Sequence, residues 1–172
     1  MNLHFRLAEP SDLDKVFQVF QSAIQNMISQ DILQWDEIYP QKGNLRGDIL
    51  KKELYIGLLD DEIACVYVLN NECDEQYKNG NWEFPDASYK VVHRLCVDPR
   101  FQNRGVGRET VKHIEEAVRE MGIESIRLDA FTQNPFSLRM YEKAGYKIVG
   151  HADWRKGRFY LMEKSLVLKA DN

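Results

Sequence analysis

The residues best placed to do chemistry in this 172-residue chain lie in one turn, Gln102-Asn103-Arg104-Gly105-Val106-Gly107-Arg108. It follows an apolar, β-branched run (Val91, Val92, Leu95, Cys96, Val97) that Asp98-Pro99 ends, since proline has no N–H for a sheet ladder and restrains the residue before it. Glycines at 105 and 107 let the main chain come close to a ligand and take positive φ. Where such a turn opens a helix, the first N–H groups have no partners of their own and meet an anion. Arg104 and Arg108 add the charge that suits phosphate. Other chemistries find less support. The three cysteines, Cys65, Cys73 and Cys96, show neither paired nor zinc-like spacing; Cys65 and Cys96 sit in apolar runs and read as reduced, buried thiols of a cytoplasmic protein.

The turn needs a strand before it and a helix behind it. Val111, Ile114, Ala117, Val118 and Met121 recur at helical spacing, with Gly122 where a C-cap belongs. Ser125–Phe131 then reads as a strand, which makes a right-handed parallel crossover. Asn134-Pro135 starts a helix with a capping side chain and a proline at its first position. Leu138 and Tyr141 share one face of it, and Gly145 ends it. Tyr146–Val149 and Arg158–Val167 are two closing strands around Lys156-Gly157.

Upstream, Leu3–Leu7 is a short strand. Ser11-Asp12-Leu13-Asp14 approximates a capping box for an amphipathic helix (Leu13, Val16, Phe17, Phe20, Ile24, Met27, Ile28) reaching residue 29. An irregular connection with Trp35 and Tyr39-Pro40 leads to a short helix over Asn44–Lys52, and Leu54–Leu59 with Ile63–Leu69 form a hairpin. Residues 70–88 are polar and irregular, with Tyr77, Trp82 and Phe84 among the acids Glu72, Asp74 and Glu75. A connection this long is functional or mobile.

Length and composition predict one soluble domain over residues 1–172, with a net charge of −4 that speaks against a nucleic-acid surface. A basic patch at Arg94, Arg100, Arg104 and Arg108 stands out against that background. The N-terminus has no basic and apolar leader pattern, and no apolar run reaches membrane-spanning length, so no membrane partner is expected.

Three phosphate-binding patterns compete for the turn. A dinucleotide fingerprint needs a third glycine where Thr110 stands, and a P-loop needs a G-K-[ST] ending that is absent. The remaining pattern, Q-x-x-G-x-G after an apolar strand ending in V-D-P, resembles the pyrophosphate-binding motif of the GNAT superfamily, the acetyl-CoA-dependent N-acetyltransferases. A second segment resembles the family too: N-x-x-[AS]-x-x-x-Y-x-x-x-G-[FY] matches at Asn134, Ser137, Tyr141, Gly145 and Tyr146. Residues 1–88 match in element order only.

The resemblance implies an α/β fold: a single mixed, strongly twisted sheet of six or seven strands flanked by helices, with acetyl-CoA entering a V-shaped split beside the strand before the turn. It implies main-chain pairing of the cofactor arm along Leu95, Cys96 and Val97, with the Val97 N–H polarising the thioester. The diphosphate would lie on N–H groups from Asn103 to Arg108, bordered by Gln102, and Asn134 and Ser137 would meet the pantetheine arm. Tyr141 takes the family's general-acid role: a phenol stays protonated at neutral pH and can donate to a thiolate.

The base has two readings. His93 has a suitable side-chain type, and strict alternation puts it on one face with Val91, Leu95 and Val97, and Cys96 opposite in the core. The other reading is removal of the proton through water by way of Glu72, Glu75 or backbone carbonyls. Trp35, Tyr39 and Trp82 would wall the acceptor pocket. The resulting expectation is direct transfer of acetyl to an amine, with no metal and a homodimer compatible with the family. A non-catalytic acyl-CoA-binding module, another acyl donor and an oxygen acceptor stay open as alternatives.

Overall fold

A computed structural model of the chain describes residues 1–167; the last five residues of the expected domain lie outside that range. Seven strands form one mixed sheet in the order β1-β2-β3-β4-β5-β7-β6. In chain order the elements are β1 (His4–Leu7), α1 (Leu13–Ile28), α2 (Lys42–Leu50), β2 (Leu54–Leu59), β3 (Glu62–Asn70), β4 (Tyr89–Val97), α3 (Val106–Glu120), β5 (Ser125–Phe131), α4 (Pro135–Lys143), β6 (Lys147–Trp154) and β7 (Gly157–Ser165). The chain divides into two compact units, one of Met1–Leu69 with His93–Thr110, the other of Asn70–Val92 with the residues from Val111 onward.

In the first unit β1 runs antiparallel to β2, and β2 to β3. The α1 stripe buries Leu13, Val16, Phe20 and Ala23 with Leu45 and Ile49 of α2, against Leu54, Ile56, Val66, Val68 and Cys96 of the strands. Each Val, Leu, Ile or Phe side chain among them contributes about 1.5–3 kcal/mol when taken fully out of water. The start of α1 differs from the expected box. A 3-10 turn over Pro10–Asp12 precedes it, and the Asp12 carboxylate accepts the Glu9 N–H at 2.8 Å while pairing with Arg6 at 2.7 Å. The acid serves one turn earlier than the pattern suggested because Pro10 already sets the first turn. A second cluster gathers Leu59, Ala64, Cys65, Val97, Phe101 and Val106. Burial pushes the Cys65 thiol up to about 11 despite its contact with the Thr110 hydroxyl at 3.2 Å.

In the second unit β4 and β5 are parallel, registered from Tyr89–Ser125 to Val92–Leu128, and β5, β7 and β6 follow antiparallel. The final hairpin is longer than expected, because β6 continues past a bulge between Ile148 and Gly150 to Trp154; the polar stretch Gly150-His151-Ala152-Asp153 hides that continuation in the sequence. Residues 70–88 are irregular as expected apart from a 3-10 turn at Glu75–Asn79, and are tied down. Gln76 and Asp153 exchange two hydrogen bonds at 2.9 and 3.1 Å, and Glu83 N–H donates to Glu163 at 2.7 Å. Arg127, buried on β5, lies between the Trp82 and Tyr89 rings at 4.3 and 4.0 Å. Among the described residues no helix is long and apolar enough to cross a membrane.

Candidate active site

The glycine turn belongs to the first unit. Asp98 caps a 3-10 turn over Pro99–Phe101 by accepting the Arg100 N–H at 2.9 Å, and Gln102 is extended. Asn103 and Gly105 then adopt positive φ, 58° and 83°, and α3 begins at Val106. Alternation of left-handed and ordinary conformations turns successive N–H groups toward one side, which makes a concave anion site. Gly107 lies inside the helix; the left-handed residue besides Gly105 is Asn103, a residue type that tolerates it. A Cβ at Gly105 would meet only the tips of Arg108 and Met1, at 3.8 and 3.9 Å, so the surface there is open and only the backbone conformation demands glycine.

The side chain of Gln102 fixes this turn. Its amide donates to the Val97 carbonyl at 3.2 Å and its oxygen accepts from Asn26 of α1 at 3.1 Å. The sequence placed Gln102 at the border of the site through its backbone; its bracing of the turn against β4 was missed. The basic patch is divided by its partners. Arg100 pairs with Asp98 and Glu62, Arg94 with Asp48 through Nη2, and Arg108 with the adjacent Glu109, while Arg104 lies over the Phe101 ring. Arg104 and Arg108 are the arginines within the turn itself. An open concave N–H surface flanked by two guanidinium groups fits a diphosphate.

β4 departs from regular alternation. Arg94 sits at φ 51°, in the left-handed region, within the strand, which costs a non-glycine residue about 1–2 kcal/mol. The expected parity, His93 with Val91, Leu95 and Val97 on one face, therefore does not carry across residue 94, because one left-handed residue re-aims every side chain after it. Cys96 does lie in the core as expected. Leu95, Cys96 and Val97 retain extended backbone, and His93 is half-buried just before the irregularity.

The three aromatics singled out for the acceptor pocket have different fates. Trp35 is core, with its ring 5.4 Å from Phe20. Trp82 is packed over Arg127, and its indole N–H donates to the Tyr77 carbonyl at 2.8 Å. Tyr39, in the connection between α1 and α2, remains well exposed, with the Arg94 guanidinium 5.4 Å from its ring centre. Of the acids in 70–88, Asp74 accepts from Gln76 N–H and the Trp154 indole, and Glu75 pairs with Lys78.

The second motif belongs to the second unit. Asn134 caps α4, accepting the Ser137 N–H at 3.2 Å, and the Ser137 hydroxyl returns a bond to the Asn134 carbonyl. Tyr141 is buried at 6% exposure, edge-on to Tyr146 at 5.7 Å. Burial first, then the charge of Asp129, pushes its phenol far above the usual tyrosine range. Asp129 on β5 accepts the Tyr77 hydroxyl at 2.7 Å. Sequence reading passed over Asp129; an acid inside the otherwise apolar run SIRLDAF was the available signal. Among the described residues no group of three or more metal-ligating side chains gathers.

Known proteins resemble this chain in sequence and in fold. The sequence profile of the acetyltransferase (GNAT) family matches residues 32–146. The chain belongs to that family. Among relatives, it is 27% identical over 100 residues to a spermine/spermidine N(1)-acetyltransferase of Bacillus subtilis (strain 168), covering 57% of this chain and 60% of that protein; the chain thus spans less than two thirds of that relative's length. A GNAT-family acetyltransferase from Streptococcus agalactiae 2603 superposes with a TM-score of 0.83 at 21% identity, over 95% of both chains. The PaiA N-acetyltransferase of Thermoplasma acidophilum, solved in complex with coenzyme A, gives 0.71 at 18% identity, over 96% of this chain and 99% of that one. These two likenesses show the fold, a mixed sheet flanked by four helices.

Proposed function

We propose that this acetyltransferase-family protein is, as one N-acetyltransferase domain over residues 1–172, an acetyl-CoA-dependent enzyme that passes the acetyl group directly to an amine in the reducing surroundings of the cytoplasm. The observation that carries the reading is the left-handed pair Asn103 and Gly105 opening α3 between Arg104 and Arg108. When bound, acetyl-CoA supplies the thioester whose acyl carbon an amine attacks, with coenzyme A leaving as thiolate. The main-chain groups of Leu95, Cys96 and Val97 hold the arm of that molecule as an added strand, and the Val97 N–H donates to the carbonyl oxygen, which stabilises the charge that builds there. N–H groups from Asn103 to Arg108 hold the diphosphate; Asn134 and Ser137 hold the pantetheine arm.

Two protons must move. One leaves the attacking amine and is accepted by the His93 imidazole; the other leaves the Tyr141 hydroxyl for the sulfur. Burial and a nearby carboxylate keep the phenol in its protonated form in the free protein, so it has a proton to give. A covalent acetyl-cysteine is not needed: the buried Cys65 and Cys96 thiols are both pushed up by burial, away from the thiolate form. The acceptor enters past Tyr39.

The test is a panel of amines incubated with acetyl-CoA, read by release of free thiol and by the mass of the product. N-acetyl product on at least one amine is expected. Thioester hydrolysis without acetylated amine, or oxygen-linked product alone, would overturn the reading.

A further inference from the structure

The left-handed residue in β4 places a cation beside α2 and the α1–α2 connection. Arg94 is the left-handed residue, one position before the Leu95–Val97 backbone assigned above to the thioester. A left-handed residue within a strand re-aims its side chain, and this one sends a guanidinium toward α2 and the α1–α2 connection. There it meets Asp48 and the Tyr39 ring, with 16% of its side chain still exposed. The pairing with Asp48 uses one nitrogen, Nη2, at 3.4 Å from Oδ1 and 3.3 Å from Oδ2, both long for a charge-assisted bond. The Arg94 Nε is buried with no hydrogen-bond partner. A guanidinium presents several donors in a plane, matched to two oxygens side by side, and the pairing with Asp48 uses Nη2.

We propose that Arg94 is the specificity residue for the acceptor, and that the acceptor carries a carboxylate close to the amine that is acetylated, as an amino acid does. The inference rests on the acetyl-transfer reading above. The acceptor carboxylate lies against the Arg94 guanidinium with Tyr39 along its flank, and Asp48 keeps Nη2 in place. Such an anchor holds the amine close to the strand that carries the thioester, since amine and carboxylate are joined through a single carbon. The same cation disfavours acceptors that carry additional ammonium groups and no acid.

The experiment compares amino acids with their own decarboxylated amines in the full chain: phenylalanine with phenethylamine, methionine with 3-methylthiopropylamine, lysine with cadaverine. For at least one pair the wild-type protein should show kcat/KM for the acid at least about tenfold above that for the amine, and Arg94→Gln should bring the ratio to about one. Because Arg94→Gln leaves Asp48 buried beside a neutral group, the double variant Arg94→Gln/Asp48→Asn is measured alongside it, with thermal melting as the check on folding. Acetylation of the amines as fast as, or faster than, the acids in the wild type would overturn the inference while leaving N-acetyl transfer standing. So would an unchanged ratio in a folded variant. Absence of transfer to every amine on the wider panel would remove the acetyl-transfer reading and this inference with it.

Discussion

Burial and the Asp129 carboxylate act on Tyr141 in the same direction, holding the phenol in its protonated form. A general acid is useful only while it carries its proton, and in the proposed role Tyr141 carries it at neutral pH. Tyr141→Phe should therefore lower kcat by roughly ten- to ten-thousand-fold with KM for acetyl-CoA little changed, measured by steady-state kinetics. An unchanged kcat would take Tyr141 out of the reaction. The phenylalanine keeps the edge-on contact with Tyr146, so the loss would not be one of packing.

At the scale of elements, the strand-turn-helix unit around Gln102–Arg108 works because three conformational requirements meet within a few residues: an end to β4 at Asp98-Pro99, positive φ at Asn103 and Gly105, and free N–H groups at the start of α3. The sequence made the first and third legible, since proline and helical periodicity are local signals. The second was legible only in part: Gly105 was singled out, but Asn103 was not expected to share its conformation. The irregularity at Arg94 was hidden altogether, because an arginine in an apolar strand looks the same whether the strand is regular or not. Trp35 and Trp82 were ambiguous for a related reason. An aromatic in an irregular segment can face a ligand or the core, and only tertiary packing decides. The Gln102 side chain is the brace of the turn. Gln102→Leu removes its bonds to Val97 and Asn26, and should cost about 1–2 kcal/mol in denaturant unfolding and raise KM for acetyl-CoA by roughly tenfold. A change in stability with no change in KM would make the brace structural alone.

For the whole molecule, the buried phenols set an alkaline limit. Tyr67, Tyr77, Tyr141 and Tyr146 all have their pKa raised from the usual 10.0, chiefly by burial. In each case the folded state holds the proton more tightly than the unfolded chain. The stability they confer is thus fully present below pH 10 and is lost as pH rises above it, when the unfolded chain ionises first. Thermal melting between pH 8 and pH 11 should show a steep fall in Tm beginning near pH 10, and a flat profile would contradict the burial described. The proposal on which the rest depends is that the same molecule grips coenzyme A by the backbone at the start of α3. Titration calorimetry of acetyl-CoA into wild-type protein and Gly105→Glu tests it most directly, since a glutamate there both strains a left-handed residue and brings negative charge to the cradle. The account predicts saturable binding to the wild type and none to a folded Gly105→Glu; equal affinity for the two would contradict it.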